Sequence, residues 1–279
     1  MGFIPGINRL IGLYAAALKA IFRFKLWPPF FLLAIMQFIV LLIFRSYVNP
    51  YVYPILSPLV GLLGEKNAAI FSQYPGLYIA LPFVFQWGKL VLGILFEGFA
   101  IGWASMLFMR YFHARKDDSL DFRAVLYRWP QLAVAWTLVT AVIIVINTLL
   151  PELFAGQLIG SPRRIIAFET LLRLLAVAVY ALFIYAVPSI VVYKNNILKA
   201  FKTSLSLFFR FPIFTFFLAL IPYLFTVPTS YLSGKSTVIV DKFTPELIFY
   251  VLAVGLVIDM LVNFFLTASV VNFLIEEEE

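Results

Sequence analysis

This 279-residue chain contains no cysteine and only one histidine. The lack of cysteine excludes disulfides, thiol nucleophiles and cysteine metal ligands. A single histidine cannot form a histidine-based metal site or a pair of haem ligands. The sequence also lacks the Walker A, GxGxxG, HExxH and GxSxG patterns. We therefore predict a non-enzymatic protein that has no catalytic residue, bound metal or cofactor.

Charge is also scarce, because charged residues form 13% of the sequence, against about 25% in soluble domains. Hydrophobic residues form 63% of the chain, and the mean hydropathy is +0.99. This composition excludes a soluble globular domain and indicates an integral membrane protein. The net charge of +7 does not indicate nucleic acid binding, because basic residues are expected at span ends and near anionic headgroups.

Six apolar runs reach the roughly 20 residues that a membrane-spanning helix needs. The predicted spans are 26–44, 89–109, 130–150, 171–193, 212–232 and 247–275. The bias of lysine and arginine among the loops places both termini in the cytoplasm. The predicted fold is an all-α integral membrane protein, with six transmembrane helices in three hairpins, each introduced by a cytoplasmic interfacial amphipathic helix. We treat 1–279 as a single membrane domain.

The segment 45–88 is the longest stretch between predicted spans. Its proline-rich clusters alternate with apolar pieces that are too short to cross a bilayer. We therefore predict interfacial or re-entrant pieces on the outer face of the membrane. A long, tilted second helix that begins near Leu77 is the alternative.

A basic amphipathic helix and an aromatic–proline corner precede three of the predicted spans. In the third copy, an apolar stripe recurs at helical spacing, formed by Ile197, Phe201, Leu205 and Phe208. In the first copy, the corresponding stripe is Leu10, Tyr14, Leu18 and Ile21. The basic residues predicted to face the membrane interface are Arg9, Lys19, Arg23, Arg128, Lys199, Lys202 and Arg210.

These three copies suggest a threefold internal repeat, which divides the chain into 7–109, 120–193 and 196–275. The alternative is that the copies share only the basic and aromatic span ends of any multi-pass membrane protein. Sequence identity between the copies is slight, so both interpretations stay open.

Two carboxylates, Glu97 and Asp259, lie well inside predicted spans. A charge at this depth is costly, so these residues are candidates for a transport path. Asn263 follows Asp259 by one turn, and Arg173 is the candidate counter-ion, although it could equally reach the interface. The alternative is a structural role in which each carboxylate is protonated or bonded to a neighbouring helix. Glycines that would admit a close helix are Gly93, Gly98 and Gly102.

Two local patterns resemble known families. His113 and Asp118 have the spacing of the HxxxxD signature of glycerolipid acyltransferases, but a solvated charged loop is the favoured interpretation. The run YAVPSIVVY at 185–193, followed by KAFKTS at 199–204, is similar to bacterial six-span proteins. These include the YciC-like family and the membrane domain attached to some glycerophosphodiester phosphodiesterases. This resemblance implies a six-helix membrane bundle with interfacial helices and carries no catalytic residue onto this chain. We predict that the protein lies in the bacterial inner membrane.

We therefore predict an accessory membrane subunit whose partners are membrane lipids, other membrane proteins or a second copy of this chain. Such a subunit would build or stabilise a membrane assembly. The alternative is a small transporter or lipid-translocating protein that uses the intramembrane carboxylates. An enzyme that acts on lipid headgroups through His113 is a third, less favoured hypothesis.

Overall fold

The computed structural model describes residues 3–61, 64–113, 122–158 and 162–278. Within these ranges the chain is helical and contains no β-strand, so the all-α prediction is confirmed. The α-helices, in chain order, are α1 Phe3–Ile21, α2 Pro28–Arg45, α3 Tyr53–Gly61, α4 Glu65–Phe71, α5 Gly76–Leu92, α6 Gly98–Phe112, α7 Phe122–Tyr127, α8 Trp129–Leu158, α9 Pro162–Phe183, α10 Ala186–Val192, α11 Ile197–Arg210, α12 Pro212–Leu224, α13 Val227–Ser233, α14 Ser236–Lys242 and α15 Leu247–Glu278.

Helices that are long and apolar enough to cross a membrane number five within the described residues. They are Pro28–Arg45, Gly76–Phe112, Trp129–Phe154, Arg163–Val192 and Leu247–Glu278. A sixth is counted only if α11 and α12, which meet at a bend of 104°, are taken as one broken span. Five or six helices of this kind are typical of a multi-pass membrane protein.

The second predicted span is part of a much longer helix. This helix begins at Gly76 and continues through a π-helical turn at Gly93–Glu97 to Phe112. The prediction that the whole of 45–88 is interfacial or re-entrant is therefore wrong for its last part, and the alternative helix start near Leu77 is confirmed. Pro82 does not end the helix, although it removes one hydrogen bond, because neighbouring residues such as Leu81 and Val84 are buried in a packed core.

The fifth predicted span is not a single helix. It divides into α12 and α13, because α12 ends at Leu224 and α13 begins at Val227. Pro228 has no N–H to donate to the Leu224 carbonyl, and its ring clashes with that carbonyl in a continuous helix. The 13 residues of α12 extend over about 20 Å, which is short of a hydrocarbon core of about 30 Å.

The described chain forms two compact units. Unit 1 comprises Met1–Pro29, Ile94–Tyr223 and Asn263–Glu279, and unit 2 comprises Phe30–Gly93 and Leu224–Val262. Buried core residues of unit 1 include Phe99, Ile101, Met106, Leu132 and Ile190. Those of unit 2 include Tyr47, Phe71, Leu81, Ile248 and Phe249. The threefold repeat stays a prediction, although helix–corner–helix pairs occur where the sequence predicts them.

Helix α11 begins and ends where the sequence predicts, but its apolar face packs on protein. The Asn196 side chain accepts a hydrogen bond from the Lys199 backbone N–H at 2.9 Å and so caps the helix start. The same helix contacts α9 and α10. Buried Ser204 donates to the Leu182 carbonyl at 2.8 Å and accepts from the Tyr185 N–H at 3.3 Å, at the break between these helices. Ala200 and Ser204 are buried, and Phe201 of the predicted stripe packs against the core of unit 1. This side of α11 therefore packs within unit 1.

Helix α1 is rotated relative to its predicted apolar stripe. The face that packs inward consists of Leu10, Leu13, Ala17 and Ala20, each at most 9% exposed. Leu18, which was placed on the predicted stripe, is 53% exposed. Sequence periodicity located one apolar face, but α1 has apolar residues on two.

Candidate functional site

An ion pair lies deep within the long helices of unit 2. The Lys89 ammonium of α5 contacts and donates a hydrogen bond to the Asp259 carboxylate of α15, and each side chain is 31% exposed. Asp259 lies about 18 Å along α15 from its first residue, and Lys89 about 20 Å along α5. For helices that start at a membrane surface, this is near the middle of a core of about 30 Å. A pair at this depth neutralises two charges that would each be costly alone.

The cation beside Asp259 is thus Lys89, which corrects the prediction of Arg173 as the counter-ion. Arg173 lies half-buried on α9 and makes no ion pair within the described part of the chain. Sequence reasoning missed the pair because 170 residues separate its members. Lys89 is also the first residue of a predicted span, where a lysine is expected to lie at the membrane interface.

Glu97 ends the π-helical turn, and Asn263 of α15 donates a hydrogen bond to its Oε1 at 3.5 Å. A π-helical turn inserts an extra residue and frees a backbone carbonyl, and such turns are frequent at functional sites. The indole N–H of Trp129 donates to the Leu95 carbonyl in this turn at 2.6 Å. The Trp129 ring also stacks on Phe96 at 5.6 Å. Trp129 therefore stabilises the turn that presents Glu97.

A cavity of about 20 Å³ lies beside Asn263 within unit 1. Tyr180 and Thr267 supply further polar groups to a lining that is otherwise mainly apolar. This volume is sufficient for about one water molecule and is far below the few hundred Å³ of a pocket for an organic ligand. The cavity is suited to hydrating Asn263 rather than to holding a substrate.

The glycines near Glu97 lie where two helices approach each other closely. A Cβ added at Gly98 would lie 2.4 Å from the backbone oxygen of Leu132 on α8. A Cβ at Gly102 would lie 2.6 Å from a methyl carbon of the same leucine. Gly93 is buried at the start of the π-helical turn. The neighbour of Gly98 and Gly102 is therefore α8, an assignment that the spacing of the glycines could not make.

Carboxylates at the end of α15 bind two arginines that the sequence assigns to the membrane interface. Arg9 Nε lies 2.9 Å from Glu276, and Arg9 Nη1 lies 2.7 Å from Glu277. Glu277 also accepts from Arg210 at 3.0 Å. The Arg9 guanidinium lies 4.4 Å from the centroid of the Phe273 ring. We call these residues the C-terminal clasp, which joins α1, α11 and α15 within unit 1.

Electrostatic interactions in the clasp favour the charged form of Arg9. Burial lowers the pKa of Arg9, but hydrogen bonds and attraction from Glu277 and Glu276 outweigh this effect, so the pKa is raised overall. Nearby, Tyr193 donates a hydrogen bond to the Leu274 carbonyl at 2.7 Å. Burial first, and then repulsion by Glu278 and Glu277, raise the pKa of Tyr193 to about 12. The phenol therefore remains a donor at neutral pH.

The predicted interfacial basic residues divide into two groups. Arg9 and Arg210 belong to the clasp, and Arg128 donates to the Ile190 carbonyl of α10. The remaining members are exposed and make no ion pair within the described residues, namely Lys19, Arg23, Lys199 and Lys202. These four exposed cations are available to bind an external anion, whereas carboxylates compensate the charges of Arg9 and Arg210.

His113 lies directly after α6, and its backbone N–H donates to the Met109 carbonyl at 3.0 Å. The second residue of the acyltransferase-like pattern, Asp118, lies outside the described residues.

Comparisons with protein-family models, curated proteins and solved structures find no match to this chain. The resemblance to YciC-like and phosphodiesterase-associated membrane domains thus depends on the sequence motif alone and stays a prediction.

Proposed function

We propose that this chain is a non-enzymatic integral membrane subunit that packs with other membrane proteins or lipids and stabilises a membrane assembly. The observation that supports this proposal most directly is an apolar stripe on α15. Its members are between 37% and 57% exposed, and they are Leu247, Tyr250, Val254, Val257 and Leu261. Their alternating spacing of three and four residues is that of a helix that packs along another helix.

The stripe belongs to a helix already fixed in place by other contacts. Ile248, Phe249 and Leu256 on the same helix are buried in the core of unit 2. The exposed stripe is therefore a second apolar face, which remains available to a neighbouring transmembrane helix. We place the protein in the bacterial inner membrane with both termini in the cytoplasm. More lysines and arginines lie in the segments predicted to be cytoplasmic than in those on the opposite side of the membrane.

A substitution on the stripe distinguishes a partner helix from lipid. We expect Val254→Phe to abolish co-purification of a membrane protein partner in mild detergent, because a phenyl ring overfills a close-packed helix interface. Lipid chains would accommodate the same ring. Leu138→Phe on α8 is the matched control, because Leu138 is also exposed, at 49%.

Mass spectrometry of the purified material, with quantification of each subunit, measures the result. The proposal predicts stoichiometric partners with the wild type and with Leu138→Phe, and their loss with Val254→Phe. A wild-type chain that purifies alone as a monomer and moves a solute in proteoliposomes would overturn it.

A small transporter or lipid-translocating protein is the second candidate, and the paired intramembrane carboxylates favour it. Asp259 with Lys89, and Glu97 with Asn263, are polar contacts of the type that mark ion and substrate paths. This candidate predicts solute uptake into proteoliposomes that Glu97→Gln and Asp259→Asn abolish, with expression and assembly unchanged. Uptake that both variants retain would count against it.

A further inference from the structure

Helix α1 carries an exposed apolar stripe opposite to the face that packs inward. The stripe continues past the helix end into the following 3₁₀ turn, Phe24–Leu26. Its large members are Ile7 at 41%, Ile11 at 60%, Leu18 at 53%, Phe22 at 83% and Phe24 at 82% exposure. Each of these side chains is thus at least 41% exposed. The two phenylalanines are among the most exposed apolar side chains described.

Basic residues alternate with the end of this stripe. Lys19, Arg23 and Lys25 are exposed and make no ion pair within the described chain. They differ in this respect from Arg9 and Arg210, whose charges are compensated by carboxylates in the C-terminal clasp. Positive charge is thus left uncompensated where aromatic side chains protrude.

This corner is held in a fixed orientation. Trp27 is only 7% exposed, and its ring stacks on Phe264 with centroids 4.4 Å apart. Its indole N–H donates to the Ile21 carbonyl at 2.8 Å, which ties the segment after α1 back to the helix end. Phe22 and Phe24 therefore project from an anchored turn and need little ordering when they bind a surface.

We propose that residues 7–25, the first corner, form a binding surface for anionic phospholipids. The apolar stripe enters the boundary between headgroups and acyl chains, while Lys19, Arg23 and Lys25 bind lipid phosphates. An anionic phospholipid is complementary to this surface, because three unpaired cations surround apolar side chains. The inference depends on the proposed membrane placement and specifies which lipid class and which residues make the contact.

Helix α11 does not provide an equivalent surface. Its apolar face covers α9 and α10, and Arg210 at its end is paired with Glu277. Leu198 and Phe209 of α11 are exposed, at 82% and 73%, but they lie 11 positions apart, with exposed Lys199 and Lys202 between them. The exposed apolar residues of α11 therefore do not form a continuous stripe. The structure therefore assigns lipid insertion to α1 rather than to the helix with the more obvious amphipathic sequence.

The lack of native cysteine permits a direct test on the full chain. Phe22→Cys and Ser206→Cys, each carrying a nitroxide, are reconstituted in nanodiscs of phosphatidylcholine with or without phosphatidylglycerol. We expect a several-fold higher ratio of oxygen to nickel-chelate accessibility at position 22 than at exposed Ser206 on α11. The ratio at position 22 should fall when phosphatidylglycerol is omitted, or when Lys19, Arg23 and Lys25 are replaced by glutamine.

Three outcomes would overturn the proposal. If the ratio of oxygen to nickel-chelate accessibility at position 22 is as low as in water, the side chain does not insert into the membrane. If neither relaxation agent reaches position 22, protein covers the corner. A ratio that is insensitive to phosphatidylglycerol and to the glutamine replacements excludes anionic selectivity. None of these results affects co-purification of a partner through α15, so failure of this inference is distinguishable from failure of the proposed function.

Discussion

Replacing Gly98 by alanine is expected to destabilise the protein by about 1–3 kcal/mol, because the added methyl group overpacks a close helix crossing. Its Cβ would lie 2.4 Å from the backbone oxygen of Leu132, 2.9 Å from its carbonyl carbon and 2.9 Å from the Cβ of Trp136. Two of these atoms belong to the backbone, so rotation of a side chain cannot relieve the contact. Unfolding of the purified protein in detergent, followed by circular dichroism, measures the loss.

Two other glycines calibrate this effect. Gly12→Ala on α1 has no neighbouring atom within 4 Å and should stabilise the protein by about 0.5–1 kcal/mol through helix propensity alone. Gly102→Ala meets only the side chain of Leu132, which can rotate, so its cost should be smaller than that of Gly98→Ala. Equal stability of the Gly98 and Gly12 variants would refute the close contact between α6 and α8.

Asp259→Leu is expected to destabilise the protein by about 3 kcal/mol, because it leaves the Lys89 charge without its partner inside a span. Lys89→Met should cost a similar amount by leaving the carboxylate unpaired. The double variant should recover most of this loss, since it removes both charges from the membrane. A double-mutant cycle from unfolding in bicelles measures the coupling free energy of the pair.

An exposed charge provides the control for this cycle. Lys242→Gln at the exposed end of α14 should change stability by less than about 0.5 kcal/mol, as for most surface substitutions. Additive losses in the double variant would show that the two charges act independently. The double variant, which should recover most of its stability, also serves the transport test, because loss of uptake without loss of stability separates a transport role of Asp259 from a structural one.

Features that depend on neighbouring residues could be predicted from the sequence. The requirement for internally satisfied backbone hydrogen bonds makes apolar runs helical in a bilayer, and prolines mark where helices begin. The corner at Phe211 and the start of α12 at Pro212 follow from this local chemistry. The helix cap at Asn196 has the same local origin. A proline also explains why the fifth predicted span, 212–232, is wrong as a single helix. Hydropathy continues to residue 232, but Pro228 interrupts the helix before that point.

The sequence alone determined an all-helical chain with several membrane-compatible helices, because composition and hydrophobic periodicity are properties of consecutive residues. Only the tertiary structure decided which charges meet and which apolar faces remain uncovered. Arg9 and Glu276 are separated by 267 residues, and Lys89 and Asp259 by 170. Periodicity shows that a helix face is apolar, but it cannot show whether protein or lipid covers that face. For this reason the sequence of α11 is typical of an interfacial helix, although much of its apolar face packs on protein. In the structure it is α1 that has the exposed apolar stripe beside unpaired cations.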